Sequence, residues 1–297
     1  MKIAVLMGSN SPEREISIKT GKSIEKALLE MSYEVDCIEF SDDFGSAISK
    51  LSNYDLVFNA LHGGIGENGT VQGFLECLKI FYTGSGVLAS SVCMNKHFSK
   101  SIASQMGYKT QDWILLKKGM QIPLIDHFPV IVKPNSQGST VGLSLAQNRS
   151  EIKKAVKYAF EYDEDVLLET FIPGRELTVS IVGDKILPIV EIIPSNELYD
   201  YKCKYTEGMS NYVCSPELPV NLSEEIKQTG KNIYKQIGCT NYGRIDFRLN
   251  EDNIPWFLEV NTLPGMTDTS LVPMAAHKIG WSFEFLIETI VNEAMLK

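Results

Sequence analysis

Between residues 243 and 267 the chain reads GRIDFRLNEDNIPWFLEVNTLPGMT, which sets Arg244, Asp246, Glu259 and Asn261 inside apolar runs. RIDFRL and WFLEVN favour strands, and NEDNIP between them is rich in turn formers. Pairing the strands with Leu249 opposite Trp256, across a six-residue loop, brings Asp246 opposite Glu259 and Arg244 opposite Asn261. All four side chains then share one face, because strand side chains alternate with period two. Like charges facing each other destabilise a sheet, so two ionised carboxylates at that distance require a cation. Two carboxylates and an amide carbonyl form an all-oxygen set. Such a set suits a hard ion such as Mg²⁺, which completes its shell with water and substrate phosphates. The plainer alternative is a solvated edge hairpin in which Arg244 pairs the acids. The hairpin alone leaves both open.

Other residues bear on phosphate. The loop after Lys133 offers Gly138, Ser139, Thr140 and Gly142, small residues that let backbone N–H groups approach phosphate oxygens beside a lysine. It is not a P-loop, because the lysine precedes the glycines and the context is strand to strand. Lys96 lies off the apolar stripe Met94, Phe98, Ile102, Met106, which places it on the solvated side of its helix. Glu169 and Glu176 flank the hinge-like TFIPG, where two acids around an apolar shelf could hold an adenine and a ribose. Each of these has an ordinary reading as a strand-end or surface residue. Taken in order, a lysine with a small-residue loop, an acid–hydrophobe–acid hinge and an Asp/Glu/Asn hairpin follow the chain order of an ATP site with bound magnesium.

The elements that must position these residues are legible in outline. IAVLM (3–7) is a buried-type strand, followed by GSNSPERE and a helix to about residue 31. DLVFNAL (55–61) is a second strand, followed by HGGIGENG and a helix with Val71, Phe74, Leu75 and Leu78 at helical spacing. Strand, loop and helix in repetition predict a parallel α/β unit with Glu13 and His62 in loops at strand C-terminal ends. From residue 90 the texture becomes α+β with antiparallel strands, including a Gly-Asp hairpin turn at 183–184. Residues 195–219 lack clear periodicity and carry four tyrosines, which predicts a functional lid. Helices are expected from about 223 to 237 and at the end of the chain.

The 297 residues carry a net charge of −9, which argues against broad nucleic-acid binding. The six cysteines show neither a CxxC pair nor a metal-binding spacing, as expected in a reducing compartment. No apolar run approaches membrane-spanning length. The expectation is a soluble cytoplasmic protein with neither membrane nor nucleic-acid partners.

The motifs GSNSPERE (8–15), LHGGIGENGTVQG (61–73), YTGSGV (82–87), MNKHFSK (94–100), VKPNSQGSTVG (132–142), YDYKCKY (199–205), GRIDF (243–247) and LEVNTLPGMTDTSLVPMA (258–275) together make the chain closely similar to the ATP-grasp superfamily. Within it, the chain resembles the D-alanine–D-alanine ligases along nearly its whole length. The resemblance implies a three-domain α/β architecture: an N-terminal parallel α/β domain (1–85), then two α+β ATP-grasp domains (86–173 and 174–297), with ATP between the latter two. It implies that Lys96 and Lys133 contact ATP phosphates and that the loop with Gly138, Ser139 and Thr140 folds over them. Glu169, Phe171, Ile172, Glu176 and Leu258 would hold the adenosine, and Asp246, Glu259 and Asn261 would bind two Mg²⁺, with Mn²⁺ as a substitute. Glu13 would meet the first D-alanine and bond to Ser139, which reaches Tyr205 in the lid; His62 would lie near that substrate's carboxylate. Lys204, Ser270 and Leu271 would receive the second D-alanine, while Arg244 and the Gly265 N–H stabilise the reacting oxygen. The implied reaction supplies D-alanyl-D-alanine for peptidoglycan through an acyl phosphate, in a homodimer. Tyr205, where depsipeptide-forming relatives often carry His, points to D-alanine as the second substrate. Asn68, Gln137 and Cys203 depart from the family pattern and put the tuning around the site in doubt.

Overall fold

The computed structural model describes residues 1–195 and 208–296. Its first sheet is parallel, in the order β2 (Glu34–Phe40), β1 (Lys2–Gly8), β3 (Leu56–Asn59), β4 (Phe81–Tyr82). Helix α1 (Arg14–Glu30) returns from β1, α2 (Phe44–Leu51) precedes β3, and α3 (Gly64–Glu67) and α4 (Thr70–Leu78) follow it. The buried parts of strands β1 and β3 are apolar, because both faces of a parallel sheet are covered, except for Asn59 at the end of β3, whose side chain donates to the Gly66 carbonyl. Glu13 and His62 fall in the loops at their C-terminal ends, as expected from the sequence.

Helices α5 (Val87–Met94) and α6 (Lys96–Gln105) meet at Asn95, whose side chain accepts from the Phe98 N–H and caps α6. This break divides the expected stripe: Ile102 and Met106 still pack against the core, but Phe98 does not. The buried face of α6 is Lys96, Ser99, Lys100 and Ala103, while Phe98 is 55% exposed. Lys96 is buried, not solvated. The helix turns its polar residues inward because they meet charged partners there.

A four-stranded antiparallel sheet follows, in the order β5 (Trp113–Lys117), β8 (Asp165–Thr170), β6 (Val130–Pro134), β7 (Ser144–Ala146), backed by α7 (Arg149–Ala159). Val130, Val132, Val166 and Leu168 face α7, so alternation turns Ile131, Lys133 and Glu169 to the opposite side.

The last sheet is antiparallel and centres on β9 (Arg175–Val182), which pairs β10 (Lys185–Ile186), β11 (Val190–Pro194) and β13 (Tyr242–Leu249). Strand β12 (Ser210–Cys214) pairs β11, and β14 (Pro255–Asn261) pairs β13. One face, with Leu177, Val179, Ile181, Ile245, Phe247, Phe257 and Val260, packs on α5, α6 and α8 (Val220–Ile237). The other face carries Glu176, Thr178, Arg244, Asp246 and Arg248. Towards its far end that same face becomes apolar, with Val182 and Tyr242 in a core shared with α1, the first sheet, α9 (Leu271–Lys278) and α10 (Phe283–Ala294).

The hairpin register departs from expectation at its closed end. Asp246 lies opposite Glu259 and Arg244 opposite Asn261, as read from the sequence, but Leu249 pairs Pro255 and Arg248 pairs Trp256. A β-bulge between Asp246 and Phe247 absorbs the difference, leaving Leu258 as the extra residue of β14.

Candidate active site

The charged faces of the two antiparallel sheets enclose an open cleft that sets convergent charged groups beside apolar side chains, the kind of lining ligand sites commonly have. Lys133 and Glu169 line one wall, Glu176, Asp246, Arg248, Leu258 and Glu259 the other, and Phe171 and Ile172 the connection between them. Lys96, Gln137 and Thr140 close one side. Thus most of the expected nucleotide residues converge in one place. The bulge explains why two consecutive residues of β14 reach it: strict alternation cannot place Leu258 and Glu259 on one side of a strand, and the extra residue allows it.

The cleft holds its charges in pairs. Lys96 lies 3.2 Å from Glu259 Oε2 and donates to the Gln137 carbonyl at 2.6 Å. Arg244 grips Asp246 through two hydrogen bonds of 2.9 Å, and the Thr178 hydroxyl donates to the same carboxylate at 2.6 Å. Asn261 Oδ1 accepts from the Leu263 N–H at 2.9 Å. The hairpin therefore combines the two sequence alternatives: side-chain cations meet the acids, yet both carboxylates of the oxygen set, Asp246 and Glu259, line a cleft, while Asn261 turns its amide oxygen to the Leu263 N–H. Among the described residues no three His, Cys, Asp or Glu side chains cluster as a metal site. A cation here would rely on two carboxylates, the Asn261 amide and ligand phosphates, which suits Mg²⁺.

Glu169 does not project freely towards an adenosine. Its carboxylate is buried, meeting Lys133 at 2.8 Å and Lys100 at 3.1 Å. Burial alone would raise its pKa, but the two ammonium groups outweigh burial and hold it below the ordinary carboxylate value. Glu176 meets Arg248 at 3.3 Å; Arg248 also donates to the Ile172 carbonyl at 3.1 Å and lies 5.5 Å from the Phe171 ring centre. Sequence reading missed Lys100, Gln111 and Arg248. Arg248 was reachable, since it follows Arg244 and Asp246 at the same period of two. Lys100 was hidden by the mistaken orientation of its helix.

At the mouth of the cleft, the Ser139 hydroxyl donates to Glu13, joining the loop of one sheet to that of another. Gly63 and Gly138 make room for this bond. A Cβ at either position would come within 2.6 Å or 2.8 Å of Glu13 Oε2, and Gly63 has φ +69°. His62 Nε2 lies 3.0 Å from the Thr20 hydroxyl, and its Nδ1 is 3.6 Å from Glu67. Thr20 also borders Gly265, whose other neighbour is Ser270. Ser270 Oγ accepts from the Thr267 N–H at 3.0 Å. The Leu271 side chain is part of the apolar core, so only its backbone N–H, in the first turn of α9, could serve a ligand.

Gln137 turns its side chain to the Tyr162 carbonyl, and Asn68 Oδ1, one residue before the Gly69 N-cap, accepts from the Thr70 N–H at the start of α4. An acid at position 68 could accept that same bond. Lys204, Tyr205 and Cys203, with residues 196–207 of the expected lid, lie outside the described residues, and Ser210–Cys214 of that segment form β12.

Comparison with known proteins places this arrangement. The family model for the C-terminal part of D-ala D-ala ligases matches residues 102–292, and that for the N-terminal part matches residues 40–85. The chain is 42% identical over 299 residues to a D-alanine–D-alanine ligase of Geotalea uraniireducens, covering 100% of this chain and 96% of the relative. It is 42% identical to that of Aquifex aeolicus, covering 98% and 100%. Among solved structures it is similar to the Bacillus anthracis D-alanine–D-alanine ligase complexed with ATP, with a TM-score of 0.89, 36% identity, and 100% and 98% coverage. It also resembles the VanG D-Ala:D-Ser ligase of Enterococcus faecalis, with a TM-score of 0.84, 26% identity and 99% coverage of each chain.

Proposed function

The chain belongs to the D-alanine–D-alanine ligase family, and from that premise we propose how its side chains divide the work of joining two D-alanines with ATP. The ligation is ATP-dependent and yields D-alanyl-D-alanine, a peptidoglycan precursor. A carboxylate is too electron-rich to be attacked by an amine, so it must first be activated. The first D-alanine carboxylate attacks the γ-phosphorus, giving D-alanyl phosphate and ADP. The second amine attacks that carbonyl, and the tetrahedral intermediate expels phosphate.

Lys96 and Lys133 would bind the phosphates, with Gly138, Ser139 and Thr140 folded over them. Phe171, Ile172, Glu176 and Leu258 would hold the adenosine, and Glu169 would act through Lys133 and the cleft wall. Asp246, Glu259 and Asn261 would hold magnesium. Bound Mg²⁺, two ions with Mn²⁺ as a substitute, would offset the charge that develops on the phosphate oxygens. Glu13 would anchor the ammonium of the first D-alanine, with Ser139 and the lid's Tyr205 beside it and His62 near the carboxylate. Lys204, Ser270 and the Leu271 N–H would receive the second. Arg244 and the Gly265 N–H would stabilise the oxyanion, a contribution of about 3 kcal/mol per donor. An acyl phosphate hydrolyses if water reaches it, so closure by the 195–219 segment is part of the reading.

The observation that carries this reading is the convergence, in one cleft, of two lysines, two opposed carboxylates and a small-residue loop tied to Glu13. One sheet in each of the segments 1–85, 86–173 and 174–297 supports the three-domain division. A homodimer in the cytoplasm, with neither membrane nor nucleic-acid partners, completes the proposal; no helix of the described residues is long and apolar enough to cross a membrane.

The test is phosphate release from ATP and Mg²⁺ with D-alanine, D-serine or D-lactate as acceptor, alongside mass analysis of the product. D-alanine-dependent release with the dipeptide as product is expected. The likeness to a D-Ala:D-Ser ligase makes a mixed dipeptide the second reading. A preference for D-serine in competition would replace the D-alanine assignment.

A further inference from the structure

The mechanism uses Lys96 and Lys133 and leaves Lys100 without a role. Lys100 is fully buried on α6, one helical turn beyond Lys96. Its ammonium donates to Gln111 Oε1 at 2.7 Å, lies 3.1 Å from Glu169 Oε1 and sits 5.4 Å from the centre of the Trp113 ring. Glu169 meets Lys133 through its other oxygen. One enclosed carboxylate therefore carries two ammonium groups, of which Lys133 lines the cleft and Lys100 does not. Packing alone does not require this, since an apolar side chain of similar size would fill the space without burying a charge. The arrangement matters once Lys133 has a second anion to serve. A lysine that turns towards a triphosphate loosens its hold on its carboxylate, and a buried carboxylate left without counter-charge is costly. Lys100 removes that obstacle.

We propose that Lys100 is a positioning residue for nucleotide binding: anchored by Gln111, it remains the fixed counter-charge of Glu169, so that Lys133 can turn from that carboxylate to the nucleotide phosphates. The proposal rests on the assignment of Lys133 to the phosphates made above.

The charges around Lys100 fix the sign of its pH dependence. Glu169 on β8, Lys133 on β6 and Glu259 on β14 act on it. Burial pushes the Lys100 pKa down to about 8, Glu169 opposes that shift, and Lys133 adds to it. When phosphates neutralise Lys133, its repulsion is relieved and Lys100 holds its proton more tightly. By linkage, ATP binding then takes up a proton above about pH 8, and affinity falls as pH rises through that range.

The experiment is equilibrium titration of the full chain with ATP and Mg²⁺ from about pH 6.5 to about pH 9.5, with melting of each nucleotide-free variant as the control for folding. The wild-type dissociation constant is expected to rise above pH 8, approaching a limit of about tenfold per pH unit. Lys100→Met is expected to bind about tenfold more weakly near neutral pH and to lose the pH dependence. Lys100→Arg keeps the charge and is expected to stay flat across the range, because a guanidinium does not titrate there. Lys133→Met should also bind weakly. If Lys100→Met matches wild type in affinity and pH profile while Lys133→Met binds weakly, the proposal is overturned and the phosphate assignment stands. If Lys133→Met binds as tightly as wild type, the phosphate assignment fails and the proposal with it. Should Lys100→Met not fold, Gln111→Leu removes the neutral anchor; because Gln111 also lines the cleft, the readout is the pH profile, in which a fall in affinity that begins at lower pH than in wild type supports the proposal and an unchanged profile overturns it.

Discussion

Asp246 shows how much one side chain carries. It accepts two bonds from Arg244 and one from Thr178, and in the proposed mechanism it also meets magnesium. Its neighbours therefore separate metal from oxyanion chemistry. Glu259→Gln is expected to abolish measurable turnover, because the amide cannot supply the second carboxylate; near-wild-type activity in the phosphate-release assay would remove the metal assignment. Arg244→Ala is expected to lower kcat by about 100- to 1,000-fold with little change in ATP affinity. Equal losses in kcat and binding would make it a nucleotide ligand instead. At this scale the sequence was informative where spacing carried the signal. The alternation of Arg244, Asp246 and Arg248, and of Glu259 and Asn261, is visible in the letters. Lys100 was not, because a polar helix face reads as solvated unless its buried partners, Glu169 and Gln111, are known to lie beneath it.

At the scale of elements, the bulge in β14 decides what the cleft contains. It keeps Asp246 opposite Glu259 while letting Leu258 line the same cavity. Leu258→Ala is expected to raise KM for ATP by about tenfold, the loss of an apolar contact of a few methylenes, with kcat nearly unchanged. An unaltered KM would place the adenosine elsewhere. A second element-level constraint is the Ser139 loop. Gly138→Ala sets a methyl group against Glu13 and is expected to raise KM for D-alanine more than for ATP, measured by varying each substrate in turn. The sequence revealed the strands, the Gly183–Asp184 turn and the loop, but placed the pairing at the closed end of the hairpin one residue off. A bulge leaves the hydrophobic alternation on either side intact, so the pattern that reveals a strand conceals an extra residue within it.

For the whole molecule, Asn241 ties distant parts together. Its side chain accepts from the Gly84 N–H at 2.6 Å and donates to the Ile290 carbonyl at 2.7 Å, and its own carbonyl accepts from Gly183. Asn241→Ala would remove both of these side-chain bonds to buried backbone groups and is expected to lower stability by about 2–4 kcal/mol, read by urea unfolding; a change below about 0.5 kcal/mol would mean that water replaces both bonds. The change of texture near residue 90 separated the parallel sheet from the antiparallel strands, but only the family resemblance implied that the latter form two sheets. The joint core of the first sheet and the last helices was not foreseeable, because contacts between segments so far apart leave no periodic trace in either.

That joint core also has a consequence in time. Ile24 and Leu28 on α1 pack in the same cluster as Leu286, Ile287 and Ile290 on α10. A ribosome extends a chain by roughly 5–20 residues per second, so those early side chains wait on the order of tens of seconds for their partners to be synthesised. Through that interval the first βαβ unit is exposed as an unfinished, sticky surface during translation, and it is there that a nascent-chain chaperone would be most needed.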